Sequence, residues 1–290
     1  MIDVKKLYFS YTDKPFVENV SFHVGKGEIF GFLGPSGAGK STIQKVLTGL
    51  NTKYKGSVKV AGTEIRERTN RFYENIGVDF EFSTCYEKFT ARQNLAYFAS
   101  LYEKQPRSID ELLHMVGLEN DGDKKVGDFS KGMRSRLNFI KALIHDPDIL
   151  FLDEPTSGLD PLMQKEFFDL LRERNRDGAT VFFSSHVLSE VQRNCTRAAI
   201  IREGRLVVTD SMEHLSKSNT KRITLHGVTQ LPDSILAKSV TVIDDTVSFL
   251  YQGNMKTLIT ELDKLPVTDM TVVEPELEEI FLHYYAKGEE

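Results

Sequence analysis

The sequence predicts an α/β fold for residues 1–215, with an antiparallel β subdomain near the start and a helical insert over about 90–145, followed by a small C-terminal α+β domain over 216–290. Three observations predict it. Glu28 to Leu33 and Asp148 to Leu152 are near-continuous apolar runs, as expected of central parallel strands buried on both faces. The first run enters a glycine-rich loop, Gly34-Pro35-Ser36-Gly37-Ala38-Gly39-Lys40-Ser41-Thr42, and a helical pattern follows it. Beyond Leu215 a polar stretch, Ser216 to Thr220, gives way to short alternating strands and helices.

Taken in order, Val4 to Phe9 reads as a strand. Val20, Phe22 and Val24 alternate with polar residues, which predicts a second, half-buried strand. Gly25-Lys26-Gly27 turns the chain into the strand before the loop, and Gly49-Leu50-Asn51 ends the helix after it. Gly56 to Gly62 reads as a strand entering a tight turn, and Ile76 to Phe80 as another strand. From Thr90 to about Gly117 the spacing becomes helical, with Leu95, Phe98, Ala99 and Tyr102 on one face. A helix carrying Leu137, Ile140 and Ile144 completes the insert.

After the Asp148–Leu152 strand come a helix near Leu162 to Arg174, a strand at Thr180 to Ser184 and a helix near Val187 to Asn194. Ala198 to Ile201 and Leu206 to Thr209 pair as a hairpin across Glu203-Gly204. In the last domain, strands at Arg222–Leu225, Val240–Ile243, Val247–Tyr251 and Thr268–Val273 alternate with helices at Asp233–Ala237 and Met255–Leu265. That order is the split βαβ pattern. A final amphipathic helix, Glu276 to Ala286, presents Leu277, Ile280, Phe281 and Tyr284.

Gly34 to Thr42 matches every fixed position of the P-loop pattern G-x-x-x-x-G-K-[ST], so the core is a P-loop NTPase. Backbone N–H groups must close around phosphate oxygens, which favours glycine at Gly34, Gly37 and Gly39. The helix that starts near Gly39 directs its positive end at the phosphates. Lys40 supplies a charge to the β- and γ-phosphates, and the Ser41 hydroxyl can ligate Mg²⁺. The second apolar strand ends in Asp153-Glu154. Asp153 is placed to hold the metal, directly or through water. Glu154 is placed to orient or deprotonate the attacking water.

Further on, Ser157-Gly158-Leu159-Asp160 and Ser184-Ser185-His186 complete an order that resembles the ATPase subunits of the ATP-binding-cassette (ABC) family from Met1 to about Leu215. Phe129-Ser130-Lys131-Gly132-Met133 is similar to that family's signature segment. The resemblance implies two subunits closed head to tail around two ATP molecules, with Ser130 and Gly132 of one chain on the γ-phosphate held by the other. Asp160 is placed among the nucleotide-binding residues, His186 contacts the γ-phosphate, and Tyr11 stacks on adenine. Read alone, Ser130 is an N-cap and Tyr11 an edge aromatic.

This chain departs from the family at Lys131 and Met133, where glycine and glutamine are frequent, and at Glu81, where glutamine is usual. A carboxylate at Glu81 would be a hard oxygen donor to Mg²⁺ and would add negative charge beside the γ-phosphate. Glu81→Gln is therefore expected to relax the Mg²⁺ requirement of ATP hydrolysis. An unchanged Mg²⁺ dependence in that variant would refute the assignment.

The tail from Val273 to Leu282 resembles that of bacterial export ATPases, whose six-helix permease is a separate chain. The implied function is to power export of a drug, peptide, toxin or lipid-like cargo from the cytoplasmic face of the membrane. The chain carries its own P-loop, signature, Glu154 and His186, so a homodimer has both half-sites intact; a related second ATPase is the alternative partner. The other readings are an importer ATPase, which needs an external binding protein, and a soluble ATPase acting on ribosomes or DNA. Net charge is −5 and no basic stretch occurs, which disfavours nucleic acid. About ninety residues without sustained heptads separate P-loop from signature, against the long coiled coil of the chromosomal kind. No apolar run approaches the roughly 18 to 20 residues that span a bilayer, and the N-terminus lacks the apolar core of a signal peptide. Cys85 and Cys195 are isolated, so neither a metal cluster nor a disulfide framework is expected.

Overall fold

A computed structural model describes residues 1–80, 84–216, 221–232 and 234–273. Two compact units divide the chain, Met1–Ser211 and Met212–Glu290.

The first unit opens on a strand pair. β1 (Ile2–Phe9) and β2 (Val17–Val24) are antiparallel, with Ile2 opposite Val24 and Val4 opposite Phe22. β3 (Ile29–Leu33), buried at all five positions, leaves for a second sheet. α1 (Lys40–Leu47) follows. β4 (Tyr54–Val60) then returns along the free side of β1, and the two-residue β5 (Thr63–Glu64) ends that sheet. After the single turn α2 (Asn70–Tyr73) comes β6 (Ile76–Asp79).

The insert is three short helices, each with a readable start. α3 (Ala91–Ala99) begins with a capping box between Thr90 and Gln93. α4 (Ile109–Met115) is capped by Ser108 and α5 (Lys131–Leu143) by Ser130. The three pack on one another. β7 (Ile149–Asp153), α6 (Pro161–Arg176), β8 (Thr180–Ser185), α7 (Leu188–Asn194), β9 (Arg197–Arg202) and β10 (Arg205–Ser211) complete the unit.

The second sheet has the order β10-β9-β3-β8-β7-β6, parallel except at β10. The β9–β10 hairpin turns on Glu203 and Gly204, whose φ angles of 48° and 74° match the left-handed pair that a tight hairpin needs. Both sheets and α1 share one core. Phe22 from the antiparallel sheet meets Phe30, Phe32 and Phe182 of the parallel sheet with ring centroids 5.6 to 6.0 Å apart.

His145, after α5, is fully buried. Its ring stacks on Tyr102 at a centroid distance of 3.7 Å, and Nε2–H donates to the Ile76 carbonyl at 2.9 Å. Among the described residues its Nδ1 has no hydrogen-bond partner. Burial pulls its pKa down from 6.5 to about 4, against the bond to Ile76 and the nearby Glu74 and Asp146, with Lys104 assisting the drop. The folded chain thus holds a neutral ring where the unfolded chain takes up a proton. This contribution is present in full above pH 6.5 and is lost as pH falls through 4, amounting to about 3 kcal/mol. Denaturant titration at pH 7.5 and pH 5 should show wild type losing about 2 kcal/mol more than His145→Gln over that interval. Equal losses in the two proteins would rule the assignment out.

The second unit starts with α8 (Met212–Ser216) and builds an antiparallel sheet from β11 (Lys221–His226), β12 (Ala237–Ile243), β13 (Thr246–Tyr251) and β14 (Asp269–Val273), with α9 (Met255–Leu262) before the last strand. The order β12-β13-β11-β14 is that of a split βαβ sheet. Ile223, Leu225, Val247, Phe249 and Tyr251 bury one face against Leu258 and Leu262 of α9.

The helix expected at Asp233–Ala237 is not formed. Ser234 lies in a turn, and Ala237 already begins β12; Asp233 itself is outside the described residues. Ala237 is taken up by strand pairing, opposite Tyr251 of β13. Ile235 reaches the core from the turn instead, while Leu236 stays 80% exposed. The expected helix Glu276–Ala286 lies outside the described residues.

Candidate ATP site

The loop Gly34 to Gly39 spans from the end of β3 to the start of α1. Gly39 has φ 107° and Gly37 φ 79°, which side-chain-bearing residues rarely adopt. An added Cβ on Gly34 would lie 2.5 Å from the Ile201 carbonyl oxygen, so only glycine passes there. Lys40 is almost fully buried. Its ammonium donates to the carbonyls of Gly34 at 2.7 Å and Pro35 at 3.1 Å, and pairs with Glu154 Oε1 at 3.2 Å. Pro35, Ser36, Gly37, Gly39, Lys40, Ser41 and Thr42 line a recess of about 570 Å³ together with Phe16, Glu154, Ser157 and His186. The open end of α1, with its unsatisfied N–H groups, borders this recess, which suits an anion.

Tyr11 stands beside the recess. Its hydroxyl is 3.0 Å from Thr42 Oγ1, its ring packs edge-on to Phe9 and Phe16, and 59% of it is exposed. Phe16 lines the recess directly and went unnoticed in the sequence. The Gly204 turn approaches it so closely that a Cβ there would sit 1.8 Å from the Phe16 carbonyl oxygen. No local pattern announces that contact.

β7 delivers Asp153, and Glu154 turns out of the strand at φ 51°. Glu154 Oε2 lies 2.7 Å from His186 Nδ1, and the Glu154 N–H donates to Ser184 O at 3.1 Å. Lys40, Glu154 and His186, on three different elements, thus form one chain of contacts. Asp153 is buried and accepts a hydrogen bond from the Ser184 hydroxyl. Asp79, at the end of β6, lines an adjoining cavity with Asp153. Burial pushes its carboxyl up to about 7, with Asp153 reinforcing the shift and Lys141 opposing it. Asp79 was not foreseen, because only the parallel register of β6 and β7 brings it to Asp153.

Ser130, Gly132 and Asp160 do not line the P-loop recess. Ser130 Oγ accepts from Met133 N–H at 3.2 Å, and Asp160 accepts from the N–H groups of Leu162 and Met163 at 3.0 Å, so both cap helices. Lys131 lies across Gly158: a Cβ there would meet Lys131 Cε at 2.6 Å. Glu81 lies outside the described residues. As for a metal, a serine hydroxyl at Ser41 and a carboxyl at Asp153 are hard oxygen donors of the kind Mg²⁺ takes, alongside phosphate oxygens and water. Their chemistry fits that ion.

A P-loop at the end of a central parallel strand, with an acid pair at the end of β7, one strand beyond β8 in the same sheet, and a histidine closing on it, defines a nucleotide-binding ATPase cassette. A model of the ABC transporter family matches residues 17–157. The chain is 43% identical over 224 residues to a fluoroquinolones export ATP-binding protein of Mycobacterium tuberculosis, covering 77% of this chain and 74% of that one. It is 35% identical over 291 residues to the Nod factor export ATP-binding protein I of Rhizobium meliloti, covering 97% and 87%. Among solved structures, the ATP-binding subunit of an ABC transporter superposes with a TM-score of 0.68 at 28% identity, over 74% of this chain and 92% of that one. A dimeric cassette bound to ADP and Pi shares the fold at TM-score 0.67 and 23% identity, over 73% and 99%. This chain belongs to the ABC transporter family as an ATP-binding, ATP-hydrolysing subunit.

Proposed function

We propose that the chain powers export through a separate membrane permease, working as a head-to-tail dimer on the cytoplasmic face of the membrane and using MgATP. The observation that carries the catalytic part is the Lys40–Glu154–His186 chain, with contacts of 3.2 and 2.7 Å, inside the P-loop recess. Lys40 and the backbone of Gly37 to Ser41 bind the phosphates. Glu154 orients the attacking water and takes its proton, and His186 holds Glu154 and senses the γ-phosphate. Ser41 and Asp153 would hold Mg²⁺, whose charge offsets that of the phosphates. Tyr11, with Phe16 behind it, offers an aromatic face to adenine.

Ser130 and Gly132 do not line their own P-loop recess and would cap the nucleotide of a partner. The N–H groups at the start of α5 and its dipole suit a phosphate. A second identical copy supplies every part, which favours a homodimer. The relatives and an exposed aromatic cluster support a membrane partner. The two relatives named above are export subunits. Where the chain enters the insert, the Tyr86 ring lies 5.3 Å, centroid to centroid, from both Phe89 and Tyr97, and all three are exposed, the composition expected of a docking surface. Affinity purification of the tagged chain from membranes should recover an integral membrane protein, and Tyr86→Ala with Tyr97→Ala should reduce that recovery. Recovery of ribosomal proteins or of an external binding protein's importer instead would overturn the reading.

A further inference from the structure

We propose that Glu190 is a positioning residue for ATP hydrolysis, one whose carboxyl group ties the loop carrying Glu154 to the loop carrying His186. This rests on the reading that Glu154 and His186 act at the γ-phosphate.

β7 and β8 end side by side, Asp153 opposite Ser184. Beyond that point the chains part, one toward α6 and the other toward α7. Among the backbone bonds, Glu154 N–H to Ser184 O is the link across the gap. Glu190, on the first turn of α7, reaches back and closes it. Its Oε1 accepts from the Thr156 hydroxyl at 2.6 Å, and its Oε2 accepts from the Ser185 hydroxyl at 2.8 Å. Ser185 Oγ in turn accepts from Val187 N–H at 2.9 Å, which fixes the turn that presents His186 to Glu154. Thr156 follows Glu154 by two residues, and Ser185 precedes His186 by one.

Glu190 is only 7% exposed, and among the described residues no Lys, Arg or His pairs with it. A buried carboxyl is costly unless hydrogen-bonded, and an apolar side chain of similar volume would fill the space more cheaply. An acidic residue in a first helical turn is often there for the helix dipole. Here both oxygens are instead taken up by hydroxyls from the loop after β7 and from the end of β8. Glu190 does not line the P-loop recess, so it acts through its neighbours. The consequence is mechanical: a shift of His186 on phosphate binding is passed to Thr156 and on to the Ser157–Asp160 segment.

Steady-state MgATP hydrolysis by the full chain tests this in Glu190→Ala, Glu190→Gln, Thr156→Val and the Glu190→Ala/Thr156→Val pair. Glu190→Ala is expected to lower kcat about 10- to 100-fold with KM for MgATP within about threefold, since the P-loop is untouched. Glu190→Gln, which keeps one acceptor, should recover to within about fivefold of wild type. Adding Thr156→Val to Glu190→Ala should cost less than about twofold more, because the bond is already gone. Turnover of Glu190→Ala within twofold of wild type, a loss confined to KM, or fully additive costs would each overturn the proposal. If Glu190→Ala does not fold, Glu190→Gln and Ser185→Ala decide: unchanged kcat in both overturns it, and several-fold losses at unchanged melting temperature support it. Glu154→Gln serves as the control. Wild-type turnover there means the reading of the site has failed; slow turnover there with normal Glu190→Ala means the tie alone has failed.

Discussion

Glu154→Gln is expected to bind MgATP and to hydrolyse it about 10²- to 10⁴-fold more slowly than wild type, the usual worth of a positioned general base. The glutamine keeps the shape of the side chain and one acceptor but cannot take a proton from water. Its neighbours Lys40 at 3.2 Å and His186 at 2.7 Å stay in place, so nucleotide affinity should hold. A dimer that closes on ATP and cannot discharge it should accumulate, visible as a MgATP-dependent shift in size-exclusion chromatography. Turnover near that of wild type would remove Glu154 from its role, and a monomer at every nucleotide concentration would remove the closed dimer.

Lys40→Ala should fail one step earlier, at binding. The ammonium sits almost fully buried between two loop carbonyls and Glu154, where its charge is poorly screened. Charge-assisted hydrogen bonds to phosphate are each worth roughly 1.5–3 kcal/mol, or about 10- to 100-fold in affinity. Turnover should fall further, because the same charge meets negative charge developing in the transition state. Isothermal titration with ATP and a hydrolysis assay separate the two variants: Lys40→Ala raises Kd, and Glu154→Gln does not. Equal affinity in Lys40→Ala and wild type would contradict the placement of the phosphates at the P-loop.

Much of the fold was legible because the patterns that define it are local. β3 and β7 read as continuous apolar runs, the helical spacing of Leu95, Phe98 and Ala99 marks α3, and Glu203-Gly204 marks its hairpin. The segment at 233–237 was misread because its apolar residues suit a helical period equally well. Only the sheet beneath it showed that Ile235 alone is drawn into the core and that β12 begins at Ala237.

By itself the sequence pointed to Gly34 to Thr42 as the phosphate loop and to Asp153 and Glu154 as an acid pair ending a central strand, because those readings rest on residue types at short, fixed spacings; His186 was added by the family resemblance. Only the tertiary structure decided that Phe16 lines the recess, that Asp79 lies in the cavity of Asp153, and that Glu190 joins Thr156 to Ser185. Such contacts are set by which strands lie side by side and where their loops diverge. Partners 34 or 74 residues apart, as Thr156 is from Glu190 and Asp79 from Asp153, leave no trace in a local period, since packing of the whole sheet and not the neighbouring sequence brings them within reach.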